Sequence, residues 1–182
     1  NIILSALKMG LVSGLLFMII QILSAEWLSV KIFHQSSFLK TVIIMHAISL
    51  PLYILIHISS HATQAYKILK YKIFVNEIQN PLILLLSMIF VYLCISIEST
   101  ITIPIIITSF FGLITINIFL KKITKVSIFL ISSGKLNSHL LHYSLPIMFM
   151  STLGIALHWT DTFMLGYYKD MIDVGLYHPA TR

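Results

Sequence analysis

The sequence predicts an all-α fold, a polytopic bundle of transmembrane helices, and two observations carry that prediction. Of its 182 residues, 58% are hydrophobic and only 10% are charged, whereas a typical soluble domain carries about 25% charged residues. The apolar residues are also gathered into runs of about 20, the length that spans a bilayer as a helix. The period-two alternation of a membrane barrel strand is absent. Helices are therefore expected, because they satisfy their own backbone hydrogen bonds in lipid.

Five apolar runs are long enough to span the membrane, and a sixth begins near Met171. The runs cover roughly residues 3–25, 38–62, 78–97, 100–120 and 142–166. The chain opens on Asn1 rather than a methionine and stops at Arg182, just inside the new segment. We therefore expect it to be a fragment of a longer protein.

The first run has an alternative interpretation as a signal peptide. Lys8 precedes an apolar stretch, and Leu23-Ser24-Ala25 before Glu26 resembles a cleavage site. Four further spans come after it, however, so a spanning helix is the simpler interpretation.

Lysines in the connections predict the orientation of the spans. They cluster between the second and third runs and between the fourth and fifth, whereas the other connections carry mixed charge. The clustered lysines are Lys67, Lys70 and Lys72, then Lys121, Lys122, Lys125 and Lys135. Because lysine-rich loops stay in the cytoplasm, the first residue is predicted to be cytoplasmic and segment 26–37 to face outward. The same clustering explains the net charge of +6 without a nucleic-acid partner.

Small residues on the first span predict a helix-packing surface. Ala6, Gly10 and Gly14 recur every four residues and so form one narrow stripe. Such a stripe lets a neighbouring backbone approach closely.

A polar stripe on the second span is the first candidate site. His46, His57, His61 and Gln64 fall within about 60° of one another at roughly 100° per residue. A polar stripe facing lipid is costly, so it should line a water-filled cavity or bond to a neighbouring helix. His57 and His61 also have the spacing of a metal pair, but no third ligand or HExxH glutamate accompanies them. The single cysteine, Cys94, allows neither an internal disulfide nor a thiolate metal site.

Two acidic side chains in or near spans have competing interpretations. Glu77 is expected to cap the start of the third span or to pair with a nearby lysine. Asp161 lies about 27 Å along the fifth span from Tyr143, with His158 on the same face. Asp161 must meet a partner or water, either as a bond between helices or in a substrate or ion pathway.

Two stretches resemble a known family of exporters. The stretch "YSLPIMFMSTLGIALHWTDTFMLGYYKDMIDVGLYHPATR" resembles the seventh span and following turn of O-antigen, or Wzx-type, flippases of the multidrug/oligosaccharidyl-lipid/polysaccharide exporter superfamily. The matching positions are Leu145-Pro146, Asp161, Met164-Leu165-Gly166, Asp173-Val174-Gly175, Tyr177, Ala180 and Arg182. The stretch "HAISLPLYILIHISSHATQAYKILKYKIFVNEIQNPLILLL" is similar to the fourth span, basic linker and fifth span of that family.

The resemblance implies an architecture of two lobes. Residues 1–120 would form spans three to six of the first lobe, 121–141 the cytoplasmic linker between the lobes, and 142–182 the start of the second lobe. The implied location is the bacterial inner membrane, crossed several times.

The resemblance also implies a function, transport by alternating access rather than catalysis. The substrate would be an undecaprenyl-diphosphate-linked oligosaccharide, an O-antigen or capsular repeat unit. No cofactor, metal or catalytic residue is implied, and a polysaccharide polymerase and a chain-length regulator are possible partners. Lys8 and the histidine stripe with Gln64 are candidates for lining the substrate cavity, although Lys8 is expected rather to extend to the cytoplasmic interface. His158 and Asp161 are candidates for ion coupling or for the lobe interface.

The sequence leaves other functions open. Within the superfamily they are a cation-coupled drug exporter and a lipid II flippase. Outside it they are an O-antigen polymerase or a lipid-linked glycosyltransferase, and a structural membrane subunit. The polymerase and the glycosyltransferase usually need a large loop outside the membrane or an interfacial cluster of carboxylates and arginines.

Overall fold

The structure, a computed structural model, describes residues 2–32, 37–94, 99–133, 138–169 and 174–177. Its main elements are five long helices, and no strand occurs among the described residues. They are α1 (Ile2–Ile32), α2 (Ser37–Ala65), α3 (Leu69–Cys94), α4 (Ser99–Thr124) and α5 (Ser138–Tyr168). All five are long and apolar enough to cross a membrane. The predicted fold class is confirmed.

Helix α3 begins nine residues earlier than the apolar run predicted, at Leu69 rather than 78. Nothing between Leu69 and Pro81 breaks a helix, and Lys70 and Lys72 belong to the helix itself. The prediction that Glu77 caps a helix start is therefore wrong, because Glu77 lies in the third turn of α3. Hydrophobicity locates the membrane-embedded length of a helix, whereas the helix itself continues until the backbone is interrupted.

Helices α1, α2, α4 and α3 pack side by side in that order. The small-residue stripe of α1 faces α2, as predicted: a Cβ on Gly14 would lie 3.1 Å from the Cα of Pro51, and one on Gly10 would collide with Ile58. Gly10 and Gly14 are both buried. The absence of side chains here lets the two helices approach closely.

An apolar core closes the predicted cytoplasmic half of the four-helix bundle. Its buried members come from all four helices and from the 3₁₀ helix Ile128–Ser133 that comes after α4. They are Leu7, Leu55, Ile56, Val75, Ile116, Leu120 and Ile128. Elsewhere the helix contacts bury hydroxyl groups that bond to their own helix, as Thr108 Oγ1 does to the carbonyl of Pro104 at 2.7 Å. The Thr108 hydroxyl is thereby satisfied without help from lipid, whereas the buried Oγ atoms of Ser59 and Ser60 have no hydrogen-bond partner among the described residues.

Both lysine-rich connections turn on a lysine with left-handed backbone geometry. Lys67 (φ 60°) ends α2: its N–H bonds to the carbonyl of Gln64, and the N–H of Ile68 bonds to that of Thr63. This pair of bonds is a Schellman motif. Lys125 (φ 57°) ends α4 with one N–H bond to the carbonyl of Lys121. In each turn, backbone N–H groups bond to carbonyls in the last turn of the helix that would otherwise have no hydrogen-bond donor.

Helix α5 packs only loosely against the other four. Between residues 138 and 161, every described side chain except Leu140 is exposed. The predicted start of a sixth span near Met171 lies outside the described residues, apart from a helical turn at 174–177. The predicted boundaries of the two lobes stay a prediction.

Candidate functional site: a polar cavity in the bundle

A cavity of about 1460 Å³ lies among the five helices. Helices α1 to α4 supply most of its lining, and α5 contributes Ile155 and Trp159. Small-molecule pockets usually measure about 300–1,000 Å³, so this cavity is large enough for a bulky ligand.

The histidine stripe of α2 forms one wall of this cavity. His46, His57 and His61 all line it. His61 comes 15 residues after His46, which corresponds to about 22 Å along the helix. The Tyr53 and His57 rings lie 4.3 Å apart between centroids, and those of His57 and His61 lie 6.3 Å apart. Aromatic and imidazole groups thus succeed one another along the wall toward the predicted cytoplasmic end.

Helix α3 forms the facing polar wall. Lys72, Asn76 and Asn80 line the cavity at intervals of four residues, and Glu77 lies beside them. Lys72 Nζ donates a 2.9 Å hydrogen bond to Gln64 Oε1 of α2. This bond joins the two polar walls at the end of the histidine stripe.

A π-helical stretch, Phe74–Gln79, lies within this wall. Its wider turns carry both Asn76 and Glu77, and π-helical turns are often found at functional sites. On its other side, Gln79 Nε2 donates to Thr115 Oγ1 at 2.8 Å and so anchors the stretch to α4.

Gly112 of α4 gives Asn80 its position. The Oδ1 atom of Asn80 would lie 2.8 Å from a Cβ on Gly112, so any side chain at this position would force the Asn80 amide to move. The missing side chain therefore lets the Asn80 amide lie directly against α4 while it lines the cavity.

The structure separates the sequence candidates into two groups. His46, His57 and His61 line the cavity. Gln64 does not line it, but its side chain accepts a hydrogen bond from Lys72, which does. Lys8 is half-buried on α1 next to the core residue Leu7 and is not among the lining residues.

His158 and Asp161 do not line the cavity. Asp161 is about 200° around α5 from the cavity-lining Trp159 at 100° per residue, and its side chain is exposed. Asp161 Oδ2 accepts a long hydrogen bond, 3.4 Å, from the hydroxyl of Tyr177. The carboxylate is therefore tied to the segment after α5 and faces away from the cavity.

The polar wall of α3 was missed by the sequence prediction. A signal for it exists in the four-residue recurrence of Lys72, Asn76 and Asn80, which places them on one helix face. The apolar run instead places Lys72 in a loop and residues 76–80 at a helix start, which hides the recurrence.

The cavity has no preformed metal centre within the part of the chain that the structure describes. There, no three His, Cys, Asp or Glu side chains are grouped so that they could hold an ion. His57 and His61 offer the cavity hydrogen-bonding imidazole groups.

No protein-family model, curated protein or solved structure matches this chain. The fold and site define a multi-pass helical membrane protein with a large cavity lined by both polar and apolar side chains. The size of that cavity and the chemistry of its lining are the features from which a more specific function can be inferred.

Proposed function

We propose that the chain is part of a transporter, not an enzyme, which moves an undecaprenyl-diphosphate-linked oligosaccharide across the bacterial inner membrane by alternating access. The cavity of about 1460 Å³ inside a bundle of apolar helices is the observation that carries this proposal. A glycan and a diphosphate cannot cross about 30 Å of hydrocarbon unaided. An enclosed polar path between helices would shield them during passage.

The chemistry of the two walls suits such a cargo. Lys72 and the imidazoles of His57 and His61 can donate hydrogen bonds to phosphate oxygens. Asn76 offers an amide group that can both donate to and accept from sugar hydroxyls. The Oδ1 atom of Asn80 is buried against α4, so Asn80 can contribute only its NH₂ group as a donor. The resemblance to O-antigen flippases supports the same substrate class, and it makes a polymerase and a chain-length regulator reasonable partners.

The position of α5 agrees with a two-lobe transporter. Its apolar surface is exposed along most of its length, while Ile155 and Trp159 reach the cavity. In the proposed protein, α5 begins the second lobe, and movement of that lobe against the first would open the cavity to either side in turn.

Complementation of a deletion strain with cavity variants tests this function. His57→Phe retains a ring that can stack on Tyr53 but removes the hydrogen-bonding nitrogens. We expect it to lower export by about tenfold, as for the loss of one hydrogen bond to a charged group. His142→Phe makes the same chemical change at an exposed position of α5 that does not line the cavity, and this variant should export normally. Equal surface polysaccharide from both variants, at equal protein levels, would contradict the cavity's role.

A cation-coupled drug exporter is the second candidate, and Glu77 favours it. This carboxylate lines the same cavity as the aromatic rings of Tyr53 and Trp159, a combination that attracts organic cations. In that case Glu77→Gln would sensitise cells to cationic dyes, and surface polysaccharide would be unchanged by deletion of the gene.

A further inference from the structure

A second, smaller cleft lies at the predicted cytoplasmic end of α4. Its volume is about 480 Å³, and its lining is Asn117, Ile118, Lys121, Lys122 and Ser127. None of these residues lines the large cavity. The cleft forms where the chain turns at Lys125 and the next segment folds back along the end of α4.

Hydrogen bonds fix which groups this cleft presents. Asn117 Oδ1 accepts from the backbone N–H of Ile128 at 2.9 Å and from Ser127 Oγ at 3.2 Å. A backbone N–H can only donate, so the amide oxygen must point toward it, and the amide NH₂ is left on the other side. With the ammonium groups of Lys121 and Lys122, the cleft then offers mainly hydrogen-bond donors.

The segment around the cleft carries positive charge, and no acidic residue lies near it in the sequence. Between Glu98 and Asp161 the chain carries four lysines and no acidic residue. Both Lys121 and Lys122 are exposed. Donors and positive charge together suit a phosphate group.

An apolar stripe leads from the cleft toward the middle of the membrane. Phe111, Ile114 and Ile118 succeed one another at helical spacing and are 50%, 40% and 58% exposed. A cationic end above an exposed apolar stripe matches a molecule with an anionic head and hydrocarbon tails.

We propose that this cleft binds an anionic phospholipid of the cytoplasmic leaflet, such as phosphatidylglycerol. Its phosphate lies against Lys121, Lys122 and the amide NH₂ of Asn117, and an acyl chain runs along the stripe of Phe111, Ile114 and Ile118. Basic pockets at the cytoplasmic ends of membrane helices are known to bind lipid head groups. This proposal does not depend on the transport function.

Native mass spectrometry of the purified full-length protein tests the cleft directly. The detergent-solubilised protein is titrated with phosphatidylglycerol and, separately, with zwitterionic phosphatidylcholine. The double variant Lys121→Gln/Lys122→Gln should bind phosphatidylglycerol about 10- to 30-fold more weakly than the unmodified protein. The matched double variant Lys67→Gln/Lys70→Gln removes the same charge from the other lysine-rich connection and should lose less than about twofold.

A single substitution separates the cleft from general surface charge. Asn117→Asp retains the oxygen that accepts from Ile128 but replaces the NH₂ donor with a carboxylate oxygen. We expect it to weaken phosphatidylglycerol binding at least as much as one lysine substitution, with an unchanged melting temperature.

Three results would overturn the proposal. Equal losses in the two double-lysine variants would show that only the general positive charge attracts lipid. Equal affinity for phosphatidylglycerol and phosphatidylcholine would show that the cleft does not recognise the net negative charge of the head group. Displacement of phosphatidylglycerol by equimolar undecaprenyl phosphate would assign the cleft to the polyprenyl lipid instead.

Discussion

At the scale of single residues, three glycines determine how closely the helices approach. Gly10 and Gly14 let α1 lie against α2, and Gly112 admits the Asn80 amide at the cavity wall. Lipid offers no hydrophobic force to hold helices together, so such close packing is a main source of their association. In contrast, a Cβ on Gly154 of α5 would meet nothing within 4 Å.

These glycines give a direct prediction about stability. Gly14→Leu should destabilise the protein by about 1–3 kcal/mol, because the new side chain meets the backbone of Pro51. The apparent melting temperature in detergent should fall accordingly. Gly154→Leu makes the same change in open space and should melt like the unmodified protein. A normal melting temperature for Gly14→Leu would show that α1 and α2 do not pack as described.

The residue scale is also where sequence prediction was least complete. The periodicity of His46, His57 and His61 was enough to place them on one face, and that face lines the cavity. The direction of Asp161 could not be predicted in this way, because periodicity relates residues on one helix but does not say which face meets a neighbour. Trp159, two residues earlier, is the one that faces the cavity.

At the scale of helices, α3 shows why an apolar run is a poor guide to helix ends. Its first turns carry Lys70 and Lys72, which hydropathy excludes from a span, yet the backbone is already helical there. The polar wall of the cavity was overlooked for this reason. Helix count, order and approximate length could be predicted from hydrophobicity alone, because each requires only about 20 apolar residues.

The contact between α3 and α4 yields a second prediction. The hydrogen bond from Gln79 to Thr115 should stabilise the pair by about 0.6 kcal/mol, and at most about 1.7, as for similar bonds in membranes. A double-mutant cycle of Gln79→Ala and Thr115→Val, read from unfolding in a denaturing detergent, measures that coupling.

The control for this cycle pairs Gln79→Ala with Thr108→Val. The Thr108 hydroxyl bonds within its own helix, to Pro104, so its coupling to Gln79 should be near zero. Equal coupling in the two cycles would indicate that the Gln79 bond does not join the helices.

At the scale of the whole molecule, the helix arrangement fits the orientation predicted from the lysines. Both lysine-rich connections lie at the same end of the bundle, where Tyr71 and Phe119 stack at 4.3 Å between centroids. At the other end, Lys40 and Glu26 join α1 and α2 in a 2.8 Å ion pair. The alternating direction of the first four helices was therefore predictable, whereas their side-by-side order and the cavity required the three-dimensional packing.

This orientation predicts which side of the membrane two positions reach. Cys94, the single cysteine of this chain, is exposed at the far end of α3 and should react with a membrane-impermeant maleimide added outside. Tyr66→Cys in a Cys94→Ser background should react only after the membrane is opened. Labelling of both positions from the same side would contradict the predicted topology.

The central claim, that this protein carries a lipid-linked oligosaccharide across the membrane, is tested most directly in a deletion strain of its own host. Lipid extracts would be analysed by mass spectrometry, and the side of the membrane would be determined by lectin access in intact spheroplasts. We predict that complete single oligosaccharide units on undecaprenyl diphosphate accumulate on the cytoplasmic face while surface polysaccharide is lost. Units that reach the outer face but are not polymerised, or lipids that do not change at all, would contradict the account.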